Sequence, residues 1–382
     1  MNTHNAGLQV TVNQTLPMRL QGELHCAPGE LLALVGPSGA GKTSMLRTIA
    51  GLMRPGQGRV QVGLEVWLDT AQRTFLKPQE RHVGLVFQHY ALMPHLNALD
   101  NVGMALLHVP KVERRQQSAH WLFNVGLGAE LHGRMVSQLS GGQQQRVAFA
   151  RALARQPKVV LLDEPFSAVD QANRQSLYEL LAQLRQQLQV PMVLVTHDLH
   201  EARHLADQLV VMDQGRVLQS GDPGHIYQAP RNDRVASLVG IQNRFKGRWE
   251  GPSGQDKQGV LRWLRPTDPS HPGLLLQVLD KGRIEQGQSV DWVIQSDGLS
   301  LKRTDAAPNA SSAQAIELEV RVMSVQHVGD ITLIAVEVDS VPGAVVRLTL
   351  TGPIRYATQM GERLQLQLDT SWVHVMPTRN KS

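Results

Sequence analysis

Two short stretches carry most of the chemistry in this sequence. Gly36, Pro37, Ser38, Gly39, Ala40, Gly41, Lys42, Thr43 and Ser44 combine spaced glycines with a Lys-Thr pair. That pattern wraps a phosphate: the glycines let backbone N–H groups converge on phosphate oxygens, Lys42 reaches the β- and γ-phosphates, and the Thr43 hydroxyl is a ligand for Mg²⁺. The second stretch, Val159–Pro165, is an apolar run that delivers Asp163 and then Glu164. Asp163 suits the edge of a magnesium–nucleotide site. Glu164, on the opposite pleat or on the turn that follows, is placed to polarise an attacking water. A nucleoside triphosphate with Mg²⁺ is the ligand this pairing predicts, and the two stretches alone fit many NTPases.

The positions of these residues depend on the elements around them. Leu31–Val35 is a short apolar run before the glycines, and Ser44–Ala50 reads as a helix after them. A strand, a glycine turn and a helix N-terminus in that order aim positive potential at an anion. Val159–Leu162 and Met192–Val195 are further continuous apolar runs, as buried parallel strands require. Leu177, Leu180, Leu181, Leu184 and Leu188, at spacings of three and four, predict a helix between them. The alternation indicates an α/β layer fold.

A third stretch narrows the class. Leu139, Ser140, Gly141, Gly142 and Gln143 precede a helical run to Arg155. By itself this is an anion-friendly helix N-terminus. Together with the other two it resembles the signature of the ABC ATPases, and residues 8–240 carry that family's motifs in order. The resemblance implies further roles. Ser140, Gly141, Gly142 and Gln143 would close over the γ-phosphate held by a second copy of the chain. Gln88, within Val86–Tyr90, resembles the glutamine that contacts Mg²⁺ and the attacking water and couples to the membrane partner. Ser167–Asp170 resembles the loop that crosses the dimer interface through Asp170, with Val169 where the family usually has leucine. His197, after the run Met192–Thr196, resembles the histidine on the γ-phosphate. The family usually stacks adenine on an aromatic residue upstream of the phosphate loop, yet residues 1–35 contain no Phe, Tyr or Trp.

From about Asn243 the texture changes. Ile316, Leu318, Val320 and Val322 alternate with charged residues, and Leu364, Leu366 and Leu368 with glutamines, which predicts antiparallel β structure. A weak repeat aligns Gly287, Val290, Trp292, Ile294, Leu299 and Leu301 with Gly361, Leu364, Leu366, Leu368, Val373 and Val375; Arg303–Gln314 between them reads as a linker. The expected organisation is therefore an α/β P-loop NTPase domain of the ABC ATPase type over residues 1–240, with a helical subdomain near 90–155. A small all-β domain follows over 241–382, with halves near 245–302 and 315–377. This region resembles the OB-like regulatory domain of importer ATPases.

That resemblance implies an ATP-hydrolysing importer subunit, peripheral on the cytoplasmic face of the bacterial inner membrane. Its implied partners are a second copy, integral membrane permease subunits and, indirectly, a periplasmic binding protein. A regulatory oxyanion could bind the β domain. Trp67–Asp69, Glu80–Tyr90 and Leu238–Arg244 look most like the molybdate-type importer ATPase. Sulfate, iron(III) and polyamine importers share nearly everything else, and a non-transport ABC ATPase stays open.

Composition agrees with these expectations without adding detail. The 382 residues are 42% hydrophobic and 19% charged, an ordinary globular balance. The net charge of +5 comes with no basic run, so nucleic acid is not an expected partner. The single cysteine, Cys26, excludes an intrachain disulfide and reads as a small buried apolar residue. Met1–Val10 lacks the pattern of a signal peptide, and no apolar stretch approaches the ~18 residues of a spanning helix. His82, His89 and His95 cluster near Gln88, but their spacing fits no helical pair of metal ligands, so a surface or interface role is expected.

Overall fold

The computed structural model of the chain describes residues 7–167, 169–254, 257–266, 268, 273–302 and 315–378. The expected linker Arg303–Gln314 lies outside them, as do residues 1–6. The chain packs as two units, Met1–Gly224 and His225–Ser382.

The first unit begins with β1 (Leu8–Gln14), β2 (Leu20–Cys26), β3 (Leu31–Val35), α1 (Lys42–Ala50), β4 (Gly58–Val62), β5 (Glu65–Asp69), β6 (Thr74–Phe75) and β7 (Val83–Val86). It continues with α2 (Ala98–Gly103), α3 (Lys111–Asn124), α4 (Gly141–Leu153), β8 (Val159–Asp163), α5 (Gln171–Leu188), β9 (Met192–Val195), α6 (Leu199–Leu205), β10 (Gln208–Asp213) and β11 (Arg216–Gly221). The strands form one sheet in the order β6-β5-β4-β1-β2-β11-β10-β3-β9-β8-β7. From β10 to β7 all neighbours are parallel. Strands β3 and β9 are buried at every position and β8 at all but its last, Asp163. That is why these runs lack alternation: helices cover both faces of a parallel sheet. Strand β1 pairs antiparallel with β2 and β4 and alternates strictly between buried and exposed. In α5 the buried residues include Leu177, Leu180, Leu181 and Leu184 of the predicted stripe, while its last member, Leu188, is half-buried near the helix end. Helices α2, α3 and α4 pack on one another, and α4 also packs on β7.

One buried cation anchors α1 from behind. Arg81 is 1% exposed, and its guanidinium donates to the carbonyls of Thr48 and Ile49 at the end of α1, and to Trp67 and Leu76. It also lies over the rings of Trp67 and Phe75. Burial lowers its pKa to about 10, so it stays charged at neutral pH. A positive charge at a helix C-terminus is favourable, and here it fixes the helix whose other end is the phosphate loop.

The second unit takes in α7 (Pro223–Gln228, which starts just before the division), α8 (Asp233–Leu238), β12 (Arg244–Pro252), β13 (Gln258–Trp263), β14 (Leu274–Leu279), β15 (Ser289–Ile294) and β16 (Leu299–Lys302). Then follow β17 (Ala315–Val328), β18 (Ile331–Val338), β19 (Val345–Leu350), α9 (Ile354–Ala357), β20 (Arg363–Asp369) and β21 (Val373–Pro377). They make two five-stranded sheets, β14-β13-β12-β15-β21 and β16-β20-β17-β18-β19. Reading the second order backwards matches it to the first. The repeat seen in sequence corresponds to β15 and β16 in one half and to β20 and β21 in the other. The last strand of each half crosses over: β16 pairs with β20, and β21 pairs with β15. Both sheets share one apolar core, in which Phe245, Trp263 and Trp292 stack with ring centroids 4.7–4.8 Å apart.

Candidate functional site

The loop between β3 and α1 is held open by glycine geometry. Gly36 has φ 151°, and a Cβ there would lie 2.1 Å from the carbonyl oxygen of Met212. Gly41, with φ 97°, starts α1 without any side-chain cap, so the first-turn N–H groups of the helix face no protein side-chain acceptor. Lys42 is 6% exposed and folds back so that Nζ donates to the carbonyls of Gly36 (2.7 Å) and Pro37 (3.0 Å). Burial lowers its pKa, while Glu164 and Asp163 nearby favour the charged form. The cradle is thus pre-shaped, with its cation parked on carbonyls that an anion would have to outcompete.

At the end of β8, Asp163 accepts a hydrogen bond from the Thr43 hydroxyl at 3.2 Å. Burial raises its pKa, and the Thr43 bond opposes the shift. Two hard oxygen donors beside a phosphate loop suit Mg²⁺, which takes few protein ligands and completes its shell with phosphate and water. Among the described residues no group of three or more His, Cys, Asp or Glu side chains could hold a metal ion. His82, His89 and His95 are exposed.

Glu164 turns the chain at the strand end with φ 45°, a left-handed conformation that a non-glycine residue adopts only under constraint. The constraint is visible: its N–H donates to Val195 at the end of β9 (2.9 Å), and its carbonyl accepts from the Ser167 hydroxyl (2.9 Å). One carboxylate oxygen, Oε2, accepts from Gln88 Nε2 at 3.1 Å and lies 3.3 Å from His197 Nδ1. These three residues follow β7, β8 and β9, adjacent parallel strands whose C-terminal ends share one edge of the sheet. The structure thus brings Gln88, Glu164 and His197 together, and it places Gln88 on Glu164 rather than on the Thr43–Asp163 pair.

Several supports of this group have no signature in the sequence. Thr196 Oγ1 sits 2.5 Å from Oε2 of Glu201, a buried acid whose pKa is raised by burial. Arg174 of α5 reaches Asp198 at 3.4 Å, and Asp198 caps α6 through the N–H groups of His200 and Glu201. Together they fix the turn that presents His197. Arg151, from the last turn of α4, donates to the carbonyls of Tyr90 (2.6 Å) and Ala91 (2.7 Å). Tyr90 and Ala91 both have positive φ, 59° and 46°, so Arg151 braces the segment that carries Gln88.

The remaining predicted residues stand apart. Ser140 caps α4 and is exposed; its hydroxyl accepts from Gln143 N–H (3.3 Å), and Gln143 Oε1 accepts from Ser140 N–H (3.0 Å). This reciprocal capping box satisfies the helix end within the chain. A Cβ on Gly142 would meet nothing within 4 Å. Among the described residues, no hydrogen bond joins Ser140, Gly141, Gly142 or Gln143 to residues 36–44. Asp170 is exposed ahead of α5, Val169 is buried, and Ala168 lies outside the described residues.

The sequence profile of the ABC transporter family matches residues 21–167, and that of the TOBE domain matches residues 293–376. Sulfate/thiosulfate import ATP-binding protein CysA of Pseudomonas aeruginosa is 46% identical over 228 residues, 58% of this chain and 68% of the relative. The protein of that name from Gloeobacter violaceus is 45% identical over 306 residues, 78% of this chain and 85% of the relative. Among solved structures, the dimeric post-hydrolysis state of an ATP-binding cassette bound to ADP and Pi is similar at 31% identity and TM-score 0.50, covering 56% of this chain and 98% of that one. CbiO1 of Clostridium perfringens, part of an ABC transporter complex, is similar at 27% identity and TM-score 0.53, covering 58% of this chain and 91% of that one.

Proposed function

This chain belongs to the ABC transporter family of ATPases, which bind and hydrolyse ATP, and from that premise we propose that it drives import of sulfate or thiosulfate through separate membrane permease subunits. The relatives support the cargo: their names carry sulfate/thiosulfate import at 45–46% identity. The expectation of molybdate has no such support, and sulfate, one of the alternatives the sequence left open, takes its place.

One observation carries the chemistry: Gln88, Glu164 and His197 meet at a single carboxylate oxygen beside the phosphate loop. In the proposed reaction the β- and γ-phosphates of ATP seat on the backbone of residues 36–44, and the Lys42 ammonium leaves Gly36 and Pro37 to meet them. Thr43 and Asp163 would hold Mg²⁺, which supplies neutralisation of the phosphate charge. Glu164 takes a proton from a water whose oxygen attacks the γ-phosphorus. The bond to the β–γ bridging oxygen breaks, leaving ADP and inorganic phosphate. Gln88 and His197 occupy Oε2 and so leave Oε1 to receive the proton.

Ser140, Gly141, Gly142 and Gln143 of a second copy complete the site over the γ-phosphate, with Asp170 at the interface. The dimeric form of the ADP-bound neighbour supports this arrangement. No helix among the described residues is long and apolar enough to cross a membrane. The import reading, drawn from the relatives' names, puts the chain on the cytoplasmic face of the inner membrane, held by permease subunits that dock near Gln88, where Phe87 and Met93 are exposed. A periplasmic binding protein delivers the cargo, and the second unit acts as the regulatory module.

The test is uptake in cells lacking the chain. Restoring it recovers uptake of labelled sulfate while uptake of molybdate, iron(III) and polyamine stays unchanged. Recovery of one of those three without sulfate contradicts the assigned cargo.

A further inference from the structure

The sheet order fixes which way a bound nucleotide must lie. Strand β3 leads into the phosphate loop. On one side of it, β9, β8 and β7 end in His197, Asp163 with Glu164, and Gln88. The γ-phosphate points to that side because the hydrolytic group is there. The adenosine end must leave over the other side, where β10, β11 and β2 lie.

That side carries a segment pinned to the loop. Gly215, in the turn between β10 and β11, donates its N–H to Ala40 (3.0 Å) and accepts from Gln21 N–H (2.7 Å). It packs so closely that a Cβ there would lie 2.1 Å from the carbonyl oxygen of Arg19. The β1–β2 connection, residues 15–19, is therefore clamped beside residues 40–44. From it Met18 brings its sulfur to 3.6 Å from the Ser44 hydroxyl, and Gln14 Nε2 holds the Met18 carbonyl at 2.8 Å. Two large apolar side chains stand in solvent here, Met18 at 39% exposure and Leu16 at 80%. β1, β2 and their connection contain no Phe, Tyr or Trp.

We propose that Met18, flanked by Leu16, is the platform on which this chain receives the adenine ring of ATP. A thioether is polarisable and packs favourably on an aromatic face, and its flexible chain adapts to the ring. Burying the two side chains under a base also removes apolar surface from water. The platform is weaker and less rigid than an aromatic ring, which confines the base without losing rotamer freedom. This assignment rests on the reading of residues 36–44 as the phosphate site.

The test is equilibrium binding of ATP, ADP and inorganic triphosphate to the full-length chain and to variants. Met18→Ala raises the Kd of ATP and ADP about two- to twelvefold, the range that a sulfur–ring contact spans, and leaves that of triphosphate unchanged. Met18→Tyr moves the other way, tightening ATP about threefold or more through ring stacking. Lys42→Ala weakens all three probes together, which separates loss of the phosphate site from loss of the platform. Unchanged ATP affinity in both Met18 variants, or an equal loss for ATP and triphosphate in Met18→Ala, overturns the assignment.

Discussion

Helices α1 and α4 both open on glycine-rich turns that suit an anion, yet they are finished differently. The N-terminus of α1 has no side-chain cap, its lysine is buried and its loop carries three left-handed glycines. The N-terminus of α4 is exposed and closed by its own Ser140–Gln143 capping box. In the proposed function the first is an incomplete structure that a phosphate would complete. The second is satisfied by its own cap and, in that proposal, would become a ligand site only when phosphate is brought to it. This contrast is the physical content of the claim that one chain holds half of a catalytic site.

The predictions test that contrast from its strongest point downwards. Glu164→Gln keeps the hydrogen-bonding shape but not the base. Steady-state phosphate release should fall about 10³-fold while ATP affinity holds, and ATP-bound dimers should accumulate in light scattering. Near-normal turnover would remove Glu164 from the chemistry. Lys42→Ala takes away the charge-assisted bonds on the α1 side, so calorimetry should show ATP affinity down about a hundredfold. Arg81→Leu strips the guanidinium donors from the carbonyls of Ile49 and Leu76, while those of Thr48 and Trp67 keep only the backbone N–H groups of Gly51 and Leu76. It should cost on the order of 3 kcal/mol in chemical unfolding, with ATP affinity weakened in proportion to the loosening of α1. Ser140→Ala has the smallest effect on folding, about 1 kcal/mol for a lost cap, and should leave ATP binding to the monomer untouched.

What the sequence revealed follows the same division. Phosphate loops, strand-end acids and the Ser140–Gln143 turn are contiguous, because a loop or cap is made by neighbours in sequence, and so they are legible. The continuous apolar runs of β3, β8 and β9 are legible because burial on both faces leaves no alternation to confuse. Arg81, Arg151 and Met18 are not, since each acts on backbone or side-chain atoms of a distant segment and any exposed-looking arginine or methionine reads the same in a string. The crossing of β16 and β21 between the two sheets is likewise invisible. Alternation shows that a strand has one wet face, whereas its partner is set by long-range packing in the core that both sheets share. The departure at Val169 has no structural consequence here, as the smaller side chain is simply buried.

The most direct measurement of the half-site claim uses two inactive variants, Lys42→Ala and Ser140→Arg, each defective on a different helix. Every site in either pure dimer lacks one half. A mixed dimer keeps one intact pair, the Lys42 loop of one copy facing the Ser140 turn of the other. Mixing equal amounts should therefore restore ATP hydrolysis to about a quarter of the wild-type rate, because half of randomly paired dimers are mixed and each holds one working site. No recovery on mixing, or full activity of Ser140→Arg alone, would contradict a site shared between two chains.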